Sequence, residues 1–156
     1  MTITIRNANL SDQQTITRFN CLMAWETESR HLDALIAERG VSTLLKNPSK
    51  GFYLIAESEG FPVGQCMITF EWSDWRCGDF WWIQSVYVIP EYRRQGVFTT
   101  LYSSIYEKAK ASDLVAGIRL YVEHENSGAI ETYLNLGLNP AHYTMFECDF
   151  THSLKE

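Results

Sequence analysis

The stretch Trp81–Tyr102, WWIQSVYVIPEYRRQGVFTTLY, carries a strand, a turn and a helix in succession, and its reading decides the fold. Phe80 to Ile89 is nearly continuous in apolar and aromatic side chains, broken only by Gln84 and Ser85, as in a strand covered on both faces. Pro90 cannot donate to a sheet ladder and ends it. Val97, Phe98, Leu101, Tyr102, Ile105, Tyr106 and Ala109 then recur at helical spacing along one stripe. Between strand and helix stand Arg93, Arg94, Gln95 and Gly96. Two guanidinium groups and a glycine at a helix start suit an anion, because the first helical amides lack internal partners and the helix dipole favours negative charge there. Gly96 lets the backbone approach a ligand closely.

Arg93-x-x-Gly96-x-Phe98 resembles the Q/R-x-x-G-x-G/A pyrophosphate loop of the GCN5-related N-acetyltransferases, and the preceding Val86-Tyr87-Val88 and the following helix fit that setting. Glu125-Asn126-Ser127-Gly128-Ala129-Ile130, followed by Tyr133, Gly137 and Leu138, is similar to the same family's N-x-x-A-x-x-x-Y-x-x-x-G-F signature. The two signatures come in the family's order and span roughly the C-terminal half of the chain. Phe98 departs from the loop pattern, which has Gly or Ala there. A Walker-type site is the competing phosphate reading, and it fails because no G-K-[ST] follows the glycine.

At 156 residues the chain has the length of a single domain, residues 1–156, able to bury a substantial core. It shows no long apolar run of the length a membrane span needs, and MTITIRNANL lacks the basic and apolar regions of a secretory signal. Cys21, Cys66, Cys77 and Cys148 are scattered without CxxC or zinc-finger spacing, as expected of reduced thiols in a cytoplasmic protein without a metal site. A formal net charge of -6 argues against a nucleic-acid binder and mildly favours cationic partners. Five tryptophans are many for this length. The cluster from Trp72 to Trp82, with Trp75 and Trp81 between, suggests a core or a pocket wall.

Thr2 to Arg6 alternates as a first strand, and Ser11 with Gln14 offers a capping box for a helix over about 12–26. A second helical stretch around 32–38 is expected to break at Gly40 and continue briefly through Leu44 and Leu45. Phe52–Glu57 and Val63–Trp72 form a hairpin about Glu59-Gly60, and a turn over 73–79 leads into the central strand. Ile118, Leu120 and Val122 alternate as a further strand, Asn126 or Ser127 caps a short helix closing at Gly137, and Thr144–Phe150 reads as a last strand. The order β-α-α-β-β-β-α-β-α-β predicts an α/β fold with one mixed sheet and helices on both faces. The resemblance implies a central sheet of about six to seven strands, about four helices, and two parted central parallel strands, here those around Val86 and Leu120.

By resemblance the chain is expected to be an acetyl-CoA-dependent N-acetyltransferase acting on a small amine by direct transfer in a ternary complex. Coenzyme contacts are expected from Val86, Tyr87 and Val88, from Arg93, Arg94, Gln95, Gly96, Val97, Phe98 and Thr99, and from Asn126, which alternatively only caps its helix. Val88 is the expected amide donor to the thioester carbonyl. Tyr133 is the expected acid for the leaving thiolate or, alternatively, one more core aromatic of its helix. Some relatives carry a glutamate nine residues before the loop's first arginine. Gln84 stands there and cannot take a proton, so the base must be water or another carboxylate. Glu26 and Glu28, Glu71 and Asp74, and Glu123 with His124 are the candidates, with Glu28 and Glu71 preferred. Neither signature contains a cysteine, which disfavours an acetyl-enzyme, although Cys66 and Cys148 stay open. The alternatives are a non-catalytic acyl-CoA sensor and a peptide N-acetyltransferase. Relatives also make a homodimer plausible.

Overall fold

Strand β1 (Ile3–Asn7), helices α1 (Gln13–Glu28) and α2 (Ala34–Lys46), strands β2 (Gly51–Ser58), β3 (Phe61–Ser73) and β4 (Gly78–Val88), helix α3 (Val97–Lys110), strand β5 (Val115–Arg119) and helix α4 (Ser127–Asn135) follow one another in the computed structural model, which describes residues 2–151. The strands form one sheet in sequence order, antiparallel except for the parallel pair β4–β5. The chain divides into two units: residues 2–121 hold the sheet and α1–α3, and residues 122–151 hold α4. No described helix is long and apolar enough to cross a membrane.

Strand parity sorts the core onto two faces. Tyr53 and Ile55 of β2 pack with Ile16 of α1 and Val41 and Leu44 of α2, with Met67 of β3 against them. The intervening residues Leu54, Cys66 and Ile68 are fully buried on the opposite face, where α3 supplies buried Val97, Leu101, Ile105 and Ala109. Trp81 joins Phe52 and Phe70 on that face, at 5.2 and 6.2 Å between ring centroids.

Several local expectations need correction. The capping box is made by Asn9 and Asp12 around a short 3-10 turn rather than by Ser11 and Gln14. Gly40 does not break α2, which runs through it from the Asp33 N-cap to Lys46, because burial of Val41 and Leu44 outweighs one glycine's propensity. The fifth strand stops at Arg119, short of Leu120 and Val122. Thr144–Phe150 forms no strand, so among the described residues the sheet has five strands. Phe146 and Phe150 there are exposed, and alternation without a ladder partner does not hold a strand. The Glu59-Gly60 turn forms as expected, with φ of 52° and 81°.

Two predictions concern stability. Gly51 has φ +148°, and a Cβ there would lie 2.0 Å from the Ile68 carbonyl oxygen, whereas a Cβ on Gly40 meets nothing within 4 Å. Gly51→Ala should cost about 2–4 kcal/mol and Gly40→Ala should add about 0.5–1 kcal/mol, read by urea unfolding. The buried Asp12 carboxylate accepts two bonds from Arg6, both 2.8 Å, and one from the Asn9 amide at 2.8 Å. The Arg6 guanidinium holds the Asp12 carboxyl below its ordinary range. That stability is present above the unfolded carboxyl pKa of about 3.9 and is lost as pH falls through the lowered folded value. Asp12→Asn should therefore lower Tm at pH 7 and flatten the acid limb of Tm against pH.

Candidate functional site

β4 and β5 pair from Asp79↔Val115 to Trp82↔Arg119 and no further. β4 continues six residues beyond, so Ile83–Val88 has no strand partner on that edge among the described residues. The resemblance implied two parted strands around Val86 and Leu120; the pairing does stop at Trp82 and Arg119, but β5 ends before Leu120, so β4 alone runs on along the opening. On its other edge β4 carries a bulge: Met67 pairs with Gln84 and Gln65 with Tyr87, so Ser85 and Val86 together oppose Cys66. Ser85 takes φ 50°, the left-handed region. Gln65, fully buried, spans from this bulge to α1, its Nε2 donating to Asn20 Oδ1 at 2.8 Å and to the Ser85 carbonyl at 3.4 Å. The Ile89 amide donates to the Val63 carbonyl at 3.0 Å and so faces β3. By strand alternation, Val88 then turns its N–H and C=O to the open edge.

Past the strand end, Arg94 and Gly96 both adopt left-handed backbone, φ 60° and 80°. A Cβ on Gly96 would meet nothing within 4 Å, so the glycine is required there for its φ rather than for room within the chain. Gly96 is the N-cap of α3 and offers no side chain to the orphan amides; the first intrahelical bond is Thr100 N–H to Gly96 O, 2.9 Å. Val97, Phe98 and Thr99 thus present amides at the positive end of a helix macrodipole. The Gln95 side chain donates to the Glu91 carbonyl at 2.7 Å and braces the turn. Phe98, the departure from the family pattern, sets its ring against Tyr102 one turn along, at 6.4 Å. Arg94 is exposed and makes no hydrogen bond or ion pair among the described residues.

Arg93 is engaged. Its Nε donates to the Val88 carbonyl at 2.8 Å and a terminal nitrogen donates to Glu26 Oε2 at 2.5 Å. The other Glu26 oxygen accepts from the Tyr87 hydroxyl at 3.0 Å, and the guanidinium lies 5.5 Å from the Tyr87 ring. The Tyr87 ring is buried against Phe19 of α1, at 5.2 Å. Burial, and then the Glu26 carboxylate, push the Tyr87 phenol above its usual value. One carboxylate on the last turn of α1 thus ties together β4 and the loop. Sequence reading placed Glu26 among several acids without preferring it, because the contact joins residues 67 apart.

The preferred acids lie elsewhere. Glu71 accepts from Arg119 at 2.5 Å, and the Arg119 guanidinium covers the Phe80 ring at 3.6 Å. Glu71 pairs across the sheet with Phe80, eight residues and roughly 26 Å of strand from Val88. The structure does not bring it to the loop. Glu28 is exposed at the end of α1. Gln84 donates to Thr69 Oγ1 at 2.5 Å. Thr69 in turn lines a groove of about 820 Å³ with Ile36, Arg39, Lys50 and Met67. Trp82 stands across from Thr69 and 6.0 Å from Tyr121. Trp72 and Trp75 are exposed at the far hairpin, and Trp81 is half-buried with its ring against Phe52 and Phe70. Burial pushes the Cys66 thiol up to about 12, which removes it as a nucleophile at neutral pH, while Cys148 is exposed.

Within the second unit, Asn126 is the N-cap of α4, its side chain accepting from the Ala129 amide at 3.2 Å. Gly137 closes the helix at φ 87°, with Leu138 N–H bonded to the Tyr133 carbonyl at 3.0 Å. Tyr133 is half-buried, and burial pushes its phenol above the usual value.

An uncharacterized N-acetyltransferase of Methanocaldococcus jannaschii is 34% identical over 95 residues, 60% of this chain and 41% of that protein. The chain thus spans about two-fifths of the length of that curated relative. A possible acetyltransferase from Clostridium difficile 630 superposes with a TM-score of 0.90 and 43% identity over 97% of this chain and 100% of that one. AAC(6')-Iy, solved in complex with the bisubstrate analog CoA-S-monomethyl-acetylneamine, has the same fold at a TM-score of 0.75, with 14% identity and coverage of 96% and 99%. Residues 11–138 match the model of the Acetyltransferase (GNAT) family, and the chain belongs to that family.

Proposed function

We propose that the chain is an N-acetyltransferase that takes the acetyl group from acetyl-CoA and gives it to the amine of a small molecule by direct transfer, as one domain spanning both units. The observation that carries this reading is the open edge of β4 running into the uncapped N-terminus of α3. A strand edge suits the amides of an extended arm, and helix amides suit a diphosphate. Bound there, acetyl-CoA supplies the acetyl group and the thiol that leaves. Gln95, Gly96, Val97, Phe98 and Thr99 hold phosphate through the backbone, and Arg94 adds a mobile charge. Val86 and Tyr87 shape the bulged edge, and the Val88 amide faces the acyl oxygen. Asn126 keeps the start of α4 in place.

The amine nitrogen forms the new bond to the acyl carbon as the carbon–sulfur bond breaks, so one proton must leave the nitrogen and one must reach the sulfur. Tyr133 is the donor to sulfur: its raised phenol is protonated at neutral pH. Glu26 is the carboxylate that holds Arg93 of the loop and takes precedence over Glu28 and Glu71 as the destination, through water, of the proton from the amine. Gln84 is held by Thr69 as a neutral hydrogen-bonding group beside the groove, in keeping with acceptor binding rather than proton transfer. A small acceptor fits that groove better than a folded protein would.

Release of free thiol from acetyl-CoA, followed across polyamines, amino acids, aminoglycosides, aromatic amines and short peptides, tests the reading. Turnover with a small amine is the expected result. Coenzyme binding without turnover on any amine would instead mark an acyl-CoA sensor, and turnover confined to peptides a peptide acetyltransferase. Tyr133→Phe should lower kcat by about 10²-fold or more while leaving the acetyl-CoA Kd unchanged. Arg94→Ala should weaken acetyl-CoA binding by about 1.5–3 kcal/mol in calorimetry, the scale of a hydrogen bond to a charged group.

A further inference from the structure

Arg93 occupies the cleft in a way that a static phosphate ligand would not. Its Nε caps the Val88 carbonyl, the group that strand alternation turns toward the open edge of β4, and its terminal nitrogen is held by Glu26. The side chains of both members of the ion pair are part-exposed, 41% for Arg93 and 34% for Glu26, so water screens the pair and its hold is weak. Glu26 does not depend on Arg93 for a partner, because the Tyr87 hydroxyl donates to its other oxygen. A diphosphate at the N-terminus of α3 would sit three residues along the loop and carry more negative charge than one carboxylate. It would also accept a guanidinium in the paired geometry that arginine favours.

We propose that Glu26 is a positioning residue that parks Arg93 across the open edge of β4, and that an arriving coenzyme diphosphate takes the guanidinium from it. This rests on the coenzyme reading given above. In the free chain the pair holds the loop against α1 and covers the Val88 carbonyl. In the loaded chain Arg93 faces phosphate, the β4 edge is cleared, and Glu26 keeps only Tyr87. The carboxylate is therefore uncompensated only when coenzyme is present.

The alternative is that Arg93 stays on Glu26 throughout as a strut and the phosphates are held by the amides and Arg94 alone. Calorimetric titration of the full chain with coenzyme A, as wild type, Glu26→Gln, Arg93→Ala and the double variant, separates the two. Glutamine keeps the shape of the side chain and an acceptor for Tyr87, and melting curves verify that each variant is folded. Exchange predicts that Glu26→Gln tightens binding by up to about fivefold, the scale of one exposed pair that no longer has to be broken. It also predicts that Arg93→Ala weakens binding and that the double variant behaves as Arg93→Ala alone. A second reading uses Tm: the coupling between positions 26 and 93 is present without coenzyme A and vanishes at saturation. If Glu26→Gln and Arg93→Ala weaken binding alike, or if the coupling survives saturation, exchange is overturned while the coenzyme site stands. If the wild type itself fails to bind coenzyme A, the coenzyme reading falls and the exchange with it.

Discussion

The early end of the β4–β5 ladder is the constraint on which the rest of the structure depends. A parallel pair that stopped together would leave a closed sheet and no cleft. Here the ladder ends at Trp82 and Arg119, and β4 runs on alone to Val88 with its backbone groups turned outward. The bulge at Ser85 bends that free segment, and Gln65 fixes the bulge from the buried side. The chain then turns through two left-handed residues and enters α3 without a side-chain cap. Every amide assigned to a ligand follows from these backbone events, and none from an unusual side chain.

Much of this was legible because the deciding signals are local. The apolar run to Ile89, Pro90, the glycine at position 96 and the helical stripe from Val97 all lie within one stretch, and each acts on its own neighbours. The Ser85 bulge left a trace in the same place: Gln84 and Ser85 interrupt the run where the register shifts. Asn126 and Gly137 likewise bracket α4 as cap and closing residue.

What escaped sequence reading depends on distance along the chain. Gly40 carries a breaker's propensity, yet Val41 and Leu44 are buried against β2 and hold α2 together. Thr144–Phe150 alternates as a strand would, but no ladder forms there. Glu71 read as a candidate base at a strand end, and its ion pair with Arg119, 48 residues away, leaves no mark in the spacing. Glu26 looked like one of several surface acids, and Tyr87 and Arg93 single it out. In each case the residue type was read correctly, and its role was set by a partner that spacing alone does not reveal.

The central claim is that the open edge of β4 and the first turn of α3 form a single coenzyme site. The most direct measurement is a titration of isotope-labelled chain with coenzyme A, following backbone amide resonances. The account predicts saturable shifts at Val88 and at Gln95, Gly96, Val97, Phe98 and Thr99, with one common dissociation constant. Saturable shifts confined to residues elsewhere, or none at all, would contradict it.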